Sequence, residues 1–102
     1  MKIAVDIDDT ITAAPEFFAA FCKAMRKDGH EIHIVTASHE MLKETRRKDI
    51  ERLGIEYDFL VCTNFKDNYC HEEGIDYAFD DMPLHYPNET GTLIRFIKIE
   101  KN

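Results

Sequence analysis

A chain of 102 residues, 44% hydrophobic and 32% charged, has the size and composition of one folded domain with a single core. Its formal net charge of -7 argues against broad electrostatic binding to nucleic acid or anionic lipid. No apolar run approaches the roughly 20 residues of a membrane span, and Asp6 interrupts any early signal-peptide core, so a cytoplasmic protein with no membrane attachment is expected.

In chain order, Lys2 to Asp6 reads as a short buried strand that stops at carboxylates. Pro15 opens a helix where its missing N–H does no harm. Phe17, Phe21, Ala24 and Met25 fall near helical spacing there, and Gly29 closes the segment. Phe18 and Cys22 lie off that stripe. They could mark a homo-oligomer interface, but a slightly wide core stripe accounts for them better. Glu31 to Thr36, rich in Ile and Val, is a second strand. Ser38 is the expected cap of a second helix running to about Leu53, with Leu42, Ile50 and Leu53 as its apolar stripe. Lys43, Arg46, Arg47 and Lys48 form its basic face.

Phe59 to Cys62 is a third strand, Asp67 to Glu73 a short helix ended by Gly74, and Tyr77 to Phe79 a fourth strand. Pro83 turns the chain, and Thr92 to Ile99 is an expected edge strand. The alternation predicts an α/β domain spanning residues 1–102, with a mostly parallel sheet and helices on both faces, a three-layer Rossmann-like arrangement. Three cysteines, Cys22, Cys62 and Cys70, are an odd count without a Cys-x-x-Cys pair, and read as reduced thiols. Cys62, Cys70 and His71 lack a fourth partner at zinc-finger spacing.

In parallel sheets of this kind, ligands bind beyond the carboxyl ends of the strands. Asp6, Thr36 and Asp80 each fall at such an end. Asp6, Asp8 and Asp9 place three carboxylates within four residues, and in extended chain Asp6 and Asp8 project to one side. Asp80 and Asp81 add a second pair after another apolar strand. Crowded carboxylates repel, a hard divalent cation relieves that repulsion, and an all-oxygen ligand set suits Mg2+. One Asp-rich turn is an ordinary solvated loop; two, both after buried strands, are not.

These residues resemble the motifs of the haloacid dehalogenase (HAD)-like hydrolase superfamily. Asp6-Ile7-Asp8-Asp9-Thr10 resembles its first motif, Asp-x-Asp-x-Thr after an apolar strand. Ile32-His33-Ile34-Val35-Thr36 resembles the second, Lys66 stands where the third-motif lysine is expected, and Phe79-Asp80-Asp81 resembles the acidic fourth. The resemblance implies a Mg2+-dependent phosphatase, a phosphoric monoester hydrolase. Asp6 would be the nucleophile that forms an aspartyl phosphate, and Asp8 the acid and base. Thr36 and Ala37 would contact the phosphorylated substrate, and Lys66 would offset charge on both phosphate and nucleophile. Asp6, the backbone carbonyl of Asp8, and Asp80 would hold the metal, with Asp81 close by. An Asp at position 8 points within the superfamily to phosphate esters rather than to dehalogenation.

Asp9 is expected in the turn, His33 packed, and His39 and His85 at the surface near the pocket mouth. No segment is long enough for a cap domain, so the site is expected to be open or covered by a neighbouring subunit. Many nucleotidase-like members carry an Arg shortly after the second-motif Thr, whereas this chain reads Thr36-Ala37-Ser38-His39. Two other readings compete. A phosphorylatable receiver-like signalling domain would carry its acceptor Asp after the third strand, where this chain has Val61-Cys62-Thr63. A catalytically idle binding protein would have no need of the set Asp6, Asp8, Thr36, Lys66 and Asp80.

Overall fold

The computed structural model describes residues 1–81 and 95–98. Strands β1 (Lys2–Val5), β2 (Glu31–Thr36), β3 (Phe59–Cys62), β4 (Tyr77–Asp80) and β5 (Arg95–Lys98) form one sheet in the order β3-β2-β1-β4-β5. Every neighbouring pair is parallel. The expected mostly parallel sheet is thus wholly parallel among the described residues, and the fifth strand does occupy an edge. Helices α1 (Pro15–Lys27), α2 (Lys43–Arg52) and α3 (Lys66–Glu73) fill the three described crossovers.

Strand alternation divides the core into two layers. Ile3 and Val5 of β1, Ile32 and Ile34 of β2 and Leu60 of β3 pack with Phe18 and Cys22 of α1 and Ile50 of α2. The opposite face carries Ala4, Val35 and Ala78, packed with Cys70 of α3 and Ile75. Ala4 and Ala78 are register partners on β1 and β4, and their small side chains leave room for α3 to approach. Helices therefore cover both faces.

The first helix faces the sheet differently from expectation. Phe18 and Cys22 are its fully buried residues, whereas Phe17 is 56% exposed. Phe21 and Met25 are only partly buried. The core stripe runs through the residues considered for a subunit interface. Phe17 instead packs edge-on against Phe18 and stacks on Phe21, outside the core.

The entry to α2 also differs. Ser38 does not cap it: α2 follows Leu42 with no side-chain cap, and His39 Nδ1 accepts the Met41 N–H at 3.0 Å to start a short 3-10 turn over Glu40–Leu42 just before it. Ser38 Oγ is buried with no partner among the described residues. Leu42, placed by sequence on the apolar stripe, is half exposed, while Ile50 is fully buried.

Candidate active site

The first three strands are laid down in one direction across the sheet, and β4 then returns to the other side of β1. That reversal between β1 and β4 is a topological switch point, where the strand ends diverge and open a crevice. Asp6 leaves β1 in extended conformation, and its N–H donates to the Phe79 carbonyl at 2.9 Å. Asp80 ends β4. Both aspartates are buried, at 5% and 3% exposure. Two strands that would be unremarkable alone therefore bring carboxylates together across the switch point.

One ligand oxygen from each of Asp6, Asp80 and Asp81 lies within 4.8 Å of the others. Lys66, the first residue of α3, reaches between them: its Nζ donates to Asp6 Oδ1 at 2.6 Å and to Asp80 Oδ2 at 2.9 Å. Thr10, fully buried, donates its hydroxyl to Asp6 Oδ2 at 3.1 Å and so fixes the plane of that carboxylate.

Burial pushes the Asp6 carboxyl up to about 6, with Asp80 and a hydrogen bond to Asp81 adding to the effect and the Lys66 ammonium opposing it. Burial alone would lower Lys66, but its bonds to Asp6 and Asp80 outweigh that and hold it above its ordinary value. A single ammonium thus faces several carboxylates.

Asp8 stands apart from this acidic group. Its side chain is two-thirds exposed, and Asp8 Oδ2 accepts from Arg46 Nη2 at 2.7 Å. The same Nη2 lies 3.2 Å from Thr36 Oγ1, at the end of β2. Thr36 is fully buried and Ala37 beside it is exposed. Asp9 sits in the tight turn after Asp8 with φ of 61°, a left-handed conformation that Asp tolerates better than most residues, and its N–H donates to Thr12 Oγ1.

The geometry thus makes two adjoining clusters. One joins Asp6, Lys66, Asp80 and Asp81; the other joins Asp8, Thr36 and Arg46. No family model, curated protein or solved structure matches this chain.

Two contributors were not singled out from sequence. Thr10 stands out in the sequence only as part of a motif. Arg46 belongs by sequence to the basic face of α2, yet it falls four residues before Ile50 and four after Leu42, in line with the apolar stripe. That spacing was the available signal. His33 is packed as expected, with its ring between Tyr69 Oη and Glu31 Oε1, both at 2.7 Å. His85 and Pro83 lie outside the described residues.

Between β1 and β2 there is a turn and α1, and between β3 and β4 there is α3. Among the described residues, no helix is long and apolar enough to cross a membrane.

Proposed function

We propose that this chain is a HAD-like, Mg2+-dependent phosphatase that hydrolyses phosphate monoesters through an aspartyl phosphate on Asp6. The observation that carries the reading is the meeting of Asp6, Asp80 and Asp81 from two strand ends around Lys66. Three of the motif-like stretches supply Asp6, Lys66, Asp80 and Asp81 to this cluster, and Thr36 of the remaining one lies in the adjoining cluster with Asp8 and Arg46.

The donor set suits a hard divalent cation. Three ionised carboxylates against the single Lys66 charge leave two negative charges, which one such ion balances. Asp6, Asp80 and Asp81, with the Asp8 carbonyl implied by the resemblance, would hold magnesium, which supplies charge neutralisation for the phosphoryl group and keeps Asp6 ionised.

The protein's own groups then divide the work. An Asp6 carboxylate oxygen attacks phosphorus, and the bond to the ester oxygen breaks as Asp8 gives that oxygen a proton. Asp8 next takes a proton from water. The resulting hydroxide attacks phosphorus, the Asp6–phosphorus bond breaks, and inorganic phosphate leaves. Thr10 holds the Asp6 carboxylate in one orientation throughout, a positioning role that follows from its buried hydrogen bond. Lys66 neutralises charge at the nucleophile and toward the phosphoryl oxygens.

The test is release of phosphate from p-nitrophenyl phosphate with magnesium. The intact protein should turn over repeatedly and Asp6→Asn should not. Failure of the intact protein to release more than one equivalent would favour a receiver-like or idle binding protein.

A further inference from the structure

We infer that Arg46 is a phosphate-binding residue of this site, forming with the Thr36 hydroxyl a clamp on the non-bridging oxygens of the substrate's phosphoryl group. The inference rests on the phosphatase reading, which fixes where the phosphoryl group arrives.

Arg46 is more buried than the other ion-paired cations of α2. Its side chain is 16% exposed, against 38% for Lys43, 39% for Arg47 and 74% for Arg52. Burying a guanidinium is costly unless its donors are used. Here Nη2 is shared between Asp8 and Thr36, Nη1 has only a long 3.7 Å approach to Asp49 Oδ2, and Nε is buried with no partner among the described residues. An α2 tether to the loop after β1 would explain the Asp8 contact. It would not explain why a five-donor fork is turned inward with a buried donor unpartnered.

Thr36 supplies the second argument. Its oxygen accepts from Arg46, so its one hydroxyl proton is left to donate. A phosphoryl oxygen placed against that hydroxyl also lies beside the guanidinium, whose planar geometry suits two oxygens of one phosphate. Arg46 therefore places positive charge from α2 beside the Thr36 hydroxyl.

A consequence follows for Asp8. As long as Arg46 holds its carboxylate, Asp8 is oriented toward α2. Engagement of the guanidinium by phosphate loosens that hold, and the freed Asp8 carboxylate takes up a proton from solvent and turns toward the leaving oxygen. Substrate binding and release of the acid are thereby coupled through one side chain.

The experiment compares the intact protein with Arg46→Lys and Arg46→Ala, using p-nitrophenyl phosphate kinetics, inhibition by inorganic phosphate, and the melting-temperature rise that phosphate induces. Arg46→Ala should raise KM and the phosphate inhibition constant by about tenfold or more. Its phosphate-induced melting shift should largely disappear, and Arg46→Lys should recover only part. Arg46→Lys also covers the case in which the alanine variant folds poorly. If variants that melt like the parent bind phosphate within about twofold of it, Arg46 is only a tether and the inference is overturned. An intact protein that hydrolyses no ester refutes the phosphatase reading instead. Its phosphate-induced melting shift, with the loss of that shift in Arg46→Ala and its reduction in Arg46→Lys, still decides whether Arg46 binds phosphate.

Discussion

Lys66 Nζ lies 2.6 Å from Asp6 Oδ1 and 2.9 Å from Asp80 Oδ2, so one ammonium ties the end of β1 to the end of β4. With all three side chains largely buried, solvent screens this contact little. Its value lies less in stability than in keeping two like charges at one place, which hydrophobic packing alone would not permit. Removing either end of such a contact leaves an uncompensated charge.

Lys66→Met should therefore lower activity by at least about a hundredfold, in line with the loss of a charged group at a reacting centre. It should also destabilise the metal-free protein, because Asp6 and Asp80 then face each other without a cation. Kinetics and urea melts in chelator measure the two effects separately. Unchanged activity would show that Lys66 is a structural tie.

Asp6 predicts an unusual pH dependence of stability. Its folded-state value of about 6 exceeds the ordinary 3.8, chiefly through burial. Between these values the folded protein holds a proton that the unfolded chain has lost, so stability falls as pH rises from about 4 to about 6 and stays lower above. Asp6→Asn removes this contribution. In chelator, the stability of Asp6→Asn relative to the parent should rise as pH goes from 4 to 7, whichever is the more stable at pH 4; a constant difference would contradict the assignment.

Magnesium should reverse that loss. At a concentration about a hundredfold above its dissociation constant, it should stabilise the folded state at neutral pH by about 2.7 kcal/mol. Asp80→Asn should abolish most of the effect. Equal melting shifts in the parent and in Asp80→Asn would place any bound magnesium elsewhere.

The strands were legible because Ile- and Val-rich runs bounded by Asp or Thr leave few alternatives, and the parallel order followed from their alternation with helices. The clustering of Asp6 and Asp80 followed from the rule that ligands gather at strand ends, applied to residues 74 positions apart. The inner faces of the helices were less legible. Phe17 and Phe18 are chemically identical and adjacent, so composition cannot say which one faces the sheet; packing with Phe79 and Cys22 decides for Phe18. Arg46 was concealed by its basic neighbours, since a run of cations reads as a solvated face even when one member occupies an inward position.

The reassigned face of α1 has a direct energetic consequence. Phe18→Ala should cost about 3–5 kcal/mol, as expected for an aromatic ring removed from a filled core. Phe17→Ala should cost less than about 1 kcal/mol, since more than half of that residue already meets solvent. Chemical denaturation of the two variants measures the difference, and a larger loss at Phe17 would reverse the orientation of α1.

Mass spectrometry of the protein acid-quenched during turnover, with fragmentation across residues 1–10, most directly tests whether Asp6 is the group that takes the phosphoryl. The account predicts a phosphoryl adduct on Asp6, absent without substrate and absent from Asp6→Asn. Sustained phosphate release by Asp6→Asn, or an adduct located on another residue, would contradict it.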